Sequence, residues 1–260
     1  MDIAELLKVA EAAVDQGRVV TDSRGPGELT SKGDRDMASE VDFAVERAVR
    51  AFLERATPEI GVLGEEEGGA TDGTRWVLDP IDGTVNFVHG VPLWGISLGL
   101  IHEGRTIAGV IDHPALGTRY AAGEGLGATC NGQPIRGSEC SQLSDALVAV
   151  GDYAVGPDAE SQNVERFALT QRLYPRVQRI RMIGTAATAL TWVAAGHFDA
   201  TVMFSNKPWD TMAGVAIARE AGVVVLDLDG SDHAPESRGT FAVSAGIREP
   251  MLDLIAQAMH

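Results

Sequence analysis

Asp79 and Asp82 are the residues of this chain whose type and spacing best suit metal chemistry, and both closely follow the apolar run Trp76-Val77-Leu78. Two carboxylates so near each other repel, and a buried pair does not stay ionised without a compensating positive charge. A divalent cation supplies that charge, and an all-oxygen ligand set suits a hard ion such as Mg²⁺. Gly83 and Thr84 then open a turn or short helix whose N–H groups suit an anion. Carboxylates for a metal beside donors for phosphate oxygens suggest phosphoryl chemistry.

An ordinary surface turn is the alternative interpretation of the same segment, because Asp, Pro and Gly are common turn residues. Pro80 biases Asp79 towards an extended conformation, so we expect the strand to end at Asp79 with the carboxylate at its tip. The segment alone leaves both interpretations open, and the rest of the chain has to decide between them.

Glu65 is a third candidate ligand, because it is the first residue after the predicted apolar strand 60–64. Asp79 follows its own strand in the same way. Since parallel strands bring their carboxyl ends together, Glu65 is the glutamate of its run best placed to point at Asp79. Glu66 and Glu67 are predicted to be solvated or to lie outside the ligand shell.

Asp42 and Asp210 have ordinary local explanations as well as chemical ones. Ser39 is a candidate N-cap, and Asp42 then falls in the first turn of the helix that follows, where a negative charge is favoured. Asp210 lies at the start of a predicted helix that begins near Trp209, again a common place for aspartate. Local sequence therefore predicts helix capping for both residues.

The elements that would position these residues divide the chain into two parts. Apolar spacing predicts helices from Ile3 and from Ser39, a polar irregular segment between them, and a hairpin over 94–102 and 105–112. From residue 146, strands and helices alternate, at 146–151, 164–174, 177–182, 185–195, 198–204, 209–221, 223–228, 241–244 and 249–259. The predicted fold class is α+β / α/β, with an N-terminal α+β lobe over 1–145 that carries most candidate ligands, a C-terminal α/β lobe over 146–260, and one site at their junction.

The charge balance argues against two classes of partner. A formal net charge of −16 disfavours nucleic acid and anionic membrane surfaces. It does not disfavour an anionic small molecule, because bound metal ions reverse the sign of a site locally. The first twenty residues carry charges throughout, so they predict neither a signal peptide nor a membrane span. We therefore expect a cytoplasmic protein with Cys130 and Cys140 reduced.

The chain resembles the inositol monophosphatase family of metal-dependent, lithium-sensitive phosphatases over nearly its whole length. Lys32 and Asp36, upstream of Ser39 and Asp42, match the family's early lysine-to-aspartate segment, with serine where threonine is usual. The other matching motifs are Gly64-Glu65-Glu66, Trp76-x-x-Asp79-Pro80-x-Asp82-Gly83-Thr84-x-Asn86-Phe87, Gly184-Thr185-Ala186-Ala187 and Trp209-Asp210-x-x-Ala213-Gly214. Several ordered motifs are far more specific than one, which favours the metal site over the surface turn.

The resemblance implies a layered αβαβα sandwich and a cluster of two to three Mg²⁺ ions. One ion would be held by Glu65, Asp79 and the carbonyl of Ile81. A second would be held by Asp79, Asp82 and Asp210, and a third, weaker ion by Glu65 and water. Mn²⁺ is expected to substitute, Li⁺ or Ca²⁺ to inhibit, and the family resemblance implies a homodimer.

The resemblance also assigns the catalytic and phosphate-binding groups. Thr84, supported by Asp42, would orient the attacking water, with Glu65 as a further catalytic residue. The N–H groups of Gly83 and Thr84 would bind the phosphate. Two residues of the Gly184 motif would contact the substrate, Thr185 and Ala186.

Met203 departs from the inositol-hydrolysing members, which have a glutamate for the ring hydroxyls seven residues before the last metal aspartate. Methionine is typical of an apolar, adaptable wall, and a core residue is the alternative interpretation. Phe204 could stack on a nucleobase, and Lys207 could bind a second anion. Asn206 and Pro208 would complete this side of the leaving-group pocket. We expect a phosphomonoester other than inositol phosphate: a nucleoside monophosphate, histidinol phosphate or a sugar phosphate.

The sequence thus predicts a Mg²⁺-dependent phosphoric monoester hydrolase that acts on a small phosphorylated metabolite. Inositol-1-phosphate phosphatase proper is one alternative, and a catalytically idle relative that acts by binding is another. Idle relatives usually lose a ligand or the water-orienting threonine, and this chain keeps all of them. A purely structural acidic protein would leave the ordered motifs unexplained.

Overall fold

We describe the protein from a computed structural model that covers residues 2–23, 25, 27, 29–33 and 36–259, with the backbone alone for residues 29, 31–33 and 36–38. The side chains of Lys32 and Asp36, which carry part of the family resemblance, lie outside the described residues.

Two long helices open the chain, α1 (Ile3–Ser23) and α2 (Glu40–Ala56). Ser39 caps α2 in a capping box, in which its side chain accepts from the Asp42 N–H and the Asp42 carboxylate accepts from the Ser39 N–H. The predicted cap is confirmed. The segment between the helices was expected to be irregular, and this was wrong: it forms an antiparallel hairpin of β1 (Leu29–Gly33) and β2 (Asp36–Ser39). Strand pairing satisfies backbone groups even where the side-chain pattern is weak.

The larger sheet has the strand order β10-β9-β8-β7-β6-β5-β3-β4 among the described residues. Its strands are β3 (Gly61–Gly64), β4 (Gly68–Gly69), β5 (Arg75–Asp82), β6 (Gly95–His102), β7 (Arg105–His113), β8 (Thr118–Gly123), β9 (Gly127–Cys130) and β10 (Gln133–Pro134). β3 and β5 are parallel, as the argument for Glu65 required, whereas β6 and β7 form the predicted antiparallel hairpin.

Strand β5 does not end at Asp79, as the proline had suggested, but continues to Asp82. It pairs with β6 on both sides of an irregularity, with Asp79 opposite Ser97 and Asp82 opposite Gly95. A bulge of this kind accommodates a proline, which has no N–H for the ladder. Both carboxylates are therefore held by the sheet. The short helix expected after them is confirmed as α3 (Thr84–Val88).

The smaller sheet has the order β12-β11-β13-β15-β14 among the described residues. Its strands are β11 (Leu147–Val150), β12 (Arg179–Arg181), β13 (Ala200–Met203), β14 (Val224–Leu226) and β15 (Thr240–Val243). The helices of this half are α4 (Ala159–Leu173), α5 (Ala186–Ala194), α6 (Pro208–Glu220) and α7 (Arg248–Ala258). Helix α4 begins five residues before its predicted start. The prediction missed the first turn because that turn is polar and exposed and has no apolar periodicity.

Three apolar clusters define the layers. One lies between the helices α1 and α2 and the larger sheet, and another lies where α4 and α7 cover the smaller sheet. The third contains residues of both sheets and of α5 and α6, so these two helices form the middle layer. The arrangement is the expected αβαβα sandwich, and that prediction is confirmed.

Helix α6 lies very close to the larger sheet because β6 and β7 carry glycines beneath it. A Cβ on Gly109 would stand 2.3 Å from the carbonyl oxygen of Ala213, and one on Gly99 would stand 2.9 Å from the Ala213 nitrogen. Any larger residue would push the helix away from the sheet. These two glycines therefore set the depth of the helix that carries Asp210.

The described residues include no helix that is both long and apolar enough to cross a bilayer. Cys130 and Cys140 are both free thiols, as expected.

Candidate active site

Three carboxylates predicted to bind metal meet at the end of the parallel strand pair. Oxygen atoms of Glu65, Asp79 and Asp210 lie within 4.8 Å of one another. The Glu65 N–H donates to the Leu78 carbonyl at 3.1 Å, which ties the residue after β3 to β5 just before Asp79. Asp210 reaches the same point from the first turn of α6.

The electrostatics of Asp79 fit a divalent cation. Burial raises the pKa of this carboxyl well above its usual range, and the nearby carboxylates of Glu65, Asp82, Asp210 and Asp42 raise it further, in that order. Such a concentration of negative charge is unfavourable without positive charge to balance it. The donor set is entirely oxygen, the ligand type of Mg²⁺. The residues present therefore fit the metal that the sequence analysis expected.

Asp82 lies outside this group of three and contacts the start of α5. Its carboxylate accepts hydrogen bonds from the Thr185 hydroxyl and from the N–H groups of Ala186 at 3.2 Å and Ala187 at 3.0 Å. Burial raises the pKa of Asp82 to about 6, against the lowering effect of these bonds. A carboxylate has about four lone-pair sites, so these bonds leave capacity for a metal. Its role as a ligand stays a prediction.

Thr84 and Asp42 form the pair that the family resemblance implied. The Thr84 hydroxyl lies 3.2 Å from Asp42 Oδ1 and 3.1 Å from the Ile81 carbonyl oxygen. Asp42 is held in turn by Ser39, whose N–H and hydroxyl donate to Oδ2 at 2.9 and 2.5 Å. The buried Asp42 carboxylate therefore both caps α2 and contacts Thr84. Local sequence had predicted only the cap.

A cavity beside the carboxylates is lined by both predicted phosphate-binding residues, Gly83 and Thr84, together with Glu65, Asp79, Ile81, Asp82 and Asp210. Gly83 has a φ of 90°, which few other residues adopt without strain. A Cβ there would also stand 3.0 Å from the Leu93 carbonyl oxygen. Glycine at this position therefore allows the chain to turn sharply beneath the cavity.

A second cavity of about 170 Å³ adjoins the first and shares Asp82 and Asp210 with it. Its wall includes four of the predicted substrate residues, Thr185, Ala186, Met203 and Phe204. Met203 is 6% exposed and also belongs to the apolar cluster that contains residues of both sheets and of α5 and α6. It is therefore a core residue that also lines the cavity, and its contact with substrate stays a prediction.

The other residues expected on this side of the pocket are placed differently. Lys207 lines the cavity of the metal-ligand candidates instead of the second cavity. The Asn206 amide donates to three backbone carbonyls at 3.1 to 3.2 Å, those of Ala234, Pro235 and Ser237. Asn206 therefore holds a loop in place, and Pro208 starts α6 and lines neither cavity. A side-chain amide near a candidate site gives no local signal of which backbone it will bind.

The ring of Phe204 is not freely available for stacking. The Arg166 guanidinium carbon lies over the ring, 5.3 Å from its centroid. Phe204 also packs against the apolar cluster between the smaller sheet and helices α4 and α7. A nucleobase stacked on the covered face would have to displace the arginine. The structure thus disfavours the nucleobase contact suggested by the sequence.

Sequence reasoning missed Glu46, a fully buried carboxylate on α2. Glu46 accepts from the N–H groups of Glu66 at 2.9 Å and Glu67 at 3.0 Å and pairs with Arg50 at 3.0 Å. It therefore holds the turn that follows Glu65. Glu46 and Arg50 are four residues apart on a helix, a spacing that predicts the ion pair. The same spacing does not predict that Glu46 binds the N–H groups of the turn after Glu65.

Two residues near the second cavity were also missed, Asp152 and Arg166. Asp152 lines both cavities, and Arg166 lines the second one. Neither belongs to a motif that carries the resemblance.

Comparison with known proteins identifies relatives over nearly the full chain. The model of the inositol monophosphatase family matches residues 2–260. A probable inositol 1-monophosphatase, ImpA of Mycobacterium tuberculosis, is 37% identical over 257 residues, which cover 97% of this chain and 94% of that protein. A fructose-1,6-bisphosphatase/inositol-1-monophosphatase of Thermotoga maritima is 37% identical over 229 residues, 88% of this chain and 86% of that protein. The solved structure of the extragenic suppressor protein suhB from Bartonella henselae is similar with a TM-score of 0.88 at 30% identity, covering 96% of this chain and 98% of that one.

Proposed function

Because the chain belongs to the inositol monophosphatase family, whose members are phosphoric monoester hydrolases, we propose that it is a Mg²⁺-dependent phosphatase of a small phosphorylated metabolite. The observation that carries this proposal is the convergence of Glu65, Asp79 and Asp210 within 4.8 Å. The proposed metal ligands are these three carboxylates, Asp82 and the carbonyl of Ile81.

Divalent ions at this cluster would activate water and neutralise charge on the phosphoryl and leaving oxygens. The side chains around them have separate tasks. When the Thr84 hydroxyl donates to Asp42, its lone pairs are left to accept a hydrogen from the attacking water and so to orient it. The N–H groups of Gly83 and Thr84 would hold the phosphate, beside the carboxylate of Glu65.

The leaving group would occupy the adjoining cavity, with Thr185, Ala186, Met203 and Phe204 in its wall. The observations favour a polar metabolite without a nucleobase, because Arg166 covers the ring of Phe204. Lys207, on the side of the metal ligands, would contact the phosphate being cleaved instead of a second anion.

Inositol-1-phosphate phosphatase proper is the second candidate function. The names of relatives that are 37% identical favour it. The apolar Met203, at the position where the inositol-hydrolysing members have a hydroxyl-binding glutamate, weighs against it.

We also propose that the active protein is a cytoplasmic homodimer, and that lobes 1–145 and 146–260 share the site. The family resemblance supports the dimer, and two free thiols accord with a reducing compartment. The boundary at residue 145 falls between strands of the two sheets. Light scattering after size exclusion would measure the oligomeric state, and a monomeric mass would contradict the dimer.

Phosphate release with and without Mg²⁺ tests the proposed activity. The esters are inositol 1-phosphate, AMP, histidinol phosphate and fructose 1,6-bisphosphate. We expect release to require Mg²⁺ and to fall by roughly a hundredfold or more in Asp82→Asn. Asp72→Asn, an exposed aspartate, is the matched control and should retain activity.

Two outcomes would contradict the proposal in different ways. Metal binding without hydrolysis of any ester would indicate an idle relative. Hydrolysis that Asp82→Asn leaves intact would remove Asp82 from the ligand set while leaving the activity itself established.

A further inference from the structure

The helix that carries Asp210 begins without a side-chain cap. The N-cap residue of α6 is Lys207, and its side chain makes no cap hydrogen bond. A lysine side chain has donors but no acceptor, so it cannot bind the N–H groups of the first helical turn. The N-cap side chain therefore does not fix the direction in which the chain enters α6. The position of the Asp210 carboxylate depends on that direction, because Asp210 lies in the first turn.

Asn206 and Thr211 occupy the two positions that commonly fix the entry of a chain into a helix. Asn206 precedes the N-cap by one residue and Thr211 follows it by four. In many helices these positions hold two apolar side chains in contact, the hydrophobic staple. Here the pair is polar, since the hydroxyl of the buried Thr211 donates to Asn206 Oδ1 at 2.7 Å. This hydrogen bond is termed the polar staple of α6.

The nitrogen of the Asn206 side chain is anchored to the loop between β14 and β15. It donates to three carbonyls of residues 234–237 at 3.1 to 3.2 Å. Because a carbonyl oxygen only accepts, these contacts assign the nitrogen to the loop and the oxygen to Thr211. Asp227 closes the same loop by accepting from the N–H groups of residues 238–239 at 2.8 and 3.0 Å. The polar staple therefore connects α6 to a loop that has its own internal hydrogen bonds.

The larger sheet holds the residue before Asp210. The Ser97 hydroxyl donates to the Trp209 carbonyl at 3.3 Å, and Ser97 lies opposite Asp79 in the pairing of β5 with β6. Side chains directly opposite each other in an antiparallel pair lie on the same face of the sheet. The start of α6 is thus held on one side by the strand next to Asp79 and on the other by Asn206.

We propose that Asn206 is a positioning residue of the metal site, which holds the Asp210 carboxylate beside Glu65 and Asp79 through the polar staple. This inference rests on the proposed function, because it takes Asp210 to be a ligand of Mg²⁺. Three carboxylates within 4.8 Å of one another repel, so the element that carries each of them has to be held in place. If Asn206 served only to hold the loop, its loss would lower stability without changing metal affinity.

Two measurements on the same variants distinguish these roles. Calorimetric titration of Mg²⁺ into desalted, EDTA-treated protein gives the Kd of the metal, and thermal unfolding in EDTA gives the Tm without it. We expect the Kd to rise roughly tenfold in Asn206→Ala and in Thr211→Val, as it does when a residue that orients a metal ligand is changed. Thr211→Ser keeps the hydroxyl and should restore the Kd to within about threefold of the unaltered protein.

A double variant tests whether Asn206 and Thr211 act through one contact. A shared hydrogen bond is lost only once, so combining Asn206→Ala with Thr211→Val should weaken Mg²⁺ binding no further than Asn206→Ala alone. A loss equal to the product of the two single losses would show that the residues act separately, and it would overturn the polar staple as the cause.

Thr57→Val is the matched control. Thr57 is buried, donates to the carbonyl four residues earlier and shares a hydrogen bond with a second side chain, that of Trp76. Thr211 has the same three features, with Lys207 and Asn206 as its partners. Because Thr57 follows the end of α2 and contacts none of the proposed ligands through these bonds, its variant should lower the Tm in EDTA and leave the Kd for Mg²⁺ unchanged.

An unchanged Kd in both Asn206→Ala and Thr211→Val would overturn the inference while leaving metal binding and the proposed function intact. An equal rise in Thr57→Val would also overturn it, because affinity would then follow stability. If Asn206→Ala does not fold, Thr211→Val and Thr211→Ser decide the question in the same way. Mg²⁺ binding without hydrolysis would end the phosphatase proposal but leave these titrations decisive, whereas an unaltered protein that binds no Mg²⁺ would overturn both.

Discussion

Glu46→Gln should destabilise the protein and weaken its metal site, because the Glu46 carboxylate connects helix α2 to the turn that follows Glu65. Its carboxylate accepts from the N–H groups of Glu66 and Glu67 and pairs with Arg50. Arg50 in turn donates to the Val62 carbonyl at 3.2 Å and the Gly68 carbonyl at 2.7 Å. The pair therefore holds both ends of the turn that begins with Glu65.

The space around Glu46 leaves little room for adjustment. A Cβ on Gly64 would lie 2.0 Å from Glu46 Oε1, and one on Gly69 would lie 2.0 Å from the Val62 carbonyl oxygen. Glycine at both positions lets the turn approach the ion pair this closely. A side chain of different charge but the same shape is therefore the cleanest perturbation, and glutamine provides it.

The magnitude follows from the burial of the pair. Glu46 is fully buried and the Arg50 side chain is 18% exposed, and removing one partner from such a pair costs about 3–5 kcal/mol. Glutamine keeps one acceptor oxygen, and Arg50 keeps its two carbonyl partners, so we expect the free energy of unfolding to fall by about 2–3 kcal/mol. For a chain of this length that corresponds to a decrease in Tm of roughly 4–12 °C.

Two measurements on the same variant separate stability from metal binding. Thermal unfolding in EDTA gives the stability effect without metal, and calorimetry with Mg²⁺ gives the affinity. We expect the affinity to fall roughly tenfold, as it does when a residue that orients a ligand is changed. Glu54→Gln, an exposed glutamate of the same helix, is the control and should change neither quantity.

A Tm within about 2 °C of the unaltered protein would refute the reasoning about the buried pair. A lower Tm with unchanged Mg²⁺ affinity would refute only the second step, that the turn positions Glu65.

Two further predictions concern the catalytic pair and a buried histidine. Thr84→Val removes the hydroxyl that contacts Asp42 and should lower kcat by about a hundredfold to ten-thousandfold with little change in Mg²⁺ affinity; a kcat within threefold of the unaltered protein, a margin of about 0.6 kcal/mol, would contradict the role of Thr84. Burial and the charge of Arg219 lower the pKa of His233 to about 4, against the opposing effect of Asp227. Because its folded pKa lies below the unfolded value of about 6.5, His233 contributes stability that is complete above pH 6.5 and is lost as the pH falls towards 4, by roughly 3 kcal/mol at most. Urea unfolding at pH 7.5 and 4.5 should therefore show a smaller difference in His233→Gln than in the unaltered protein, and equal differences would contradict the assignment.

Much of the site could be predicted from the sequence because its motifs are local. The capping box of Ser39 and Asp42 spans one helical turn, so residue types and spacing were sufficient. The meeting of Glu65 with Asp79 followed from a general property of parallel strands, once two apolar runs were identified as strands. In each case the deciding interaction depends on backbone geometry within one element or one strand pair.

Two of the predictions that failed depended on backbone pairing without a side-chain pattern. The hairpin of β1 and β2 and the continuation of β5 to Asp82 are both held by hydrogen bonds between main-chain groups. These groups are the same in every residue except proline, so their pairing leaves no trace in residue types.

The partners of the buried polar side chains were decided by tertiary structure alone. Asp82 binds Thr185 from a position 103 residues away, and Asn206 binds a loop about thirty residues further along the chain. Glu46 and Arg166 lie in ordinary helical sequence. Only packing brings Glu46 against the turn after Glu65 and Arg166 into the wall of the second cavity. The sequence by itself determined which chemical groups the chain possesses and the elements that carry them. Which of those groups face one another depends on how whole layers pack, and burial then makes each such contact either strongly stabilising or costly to leave unpaired.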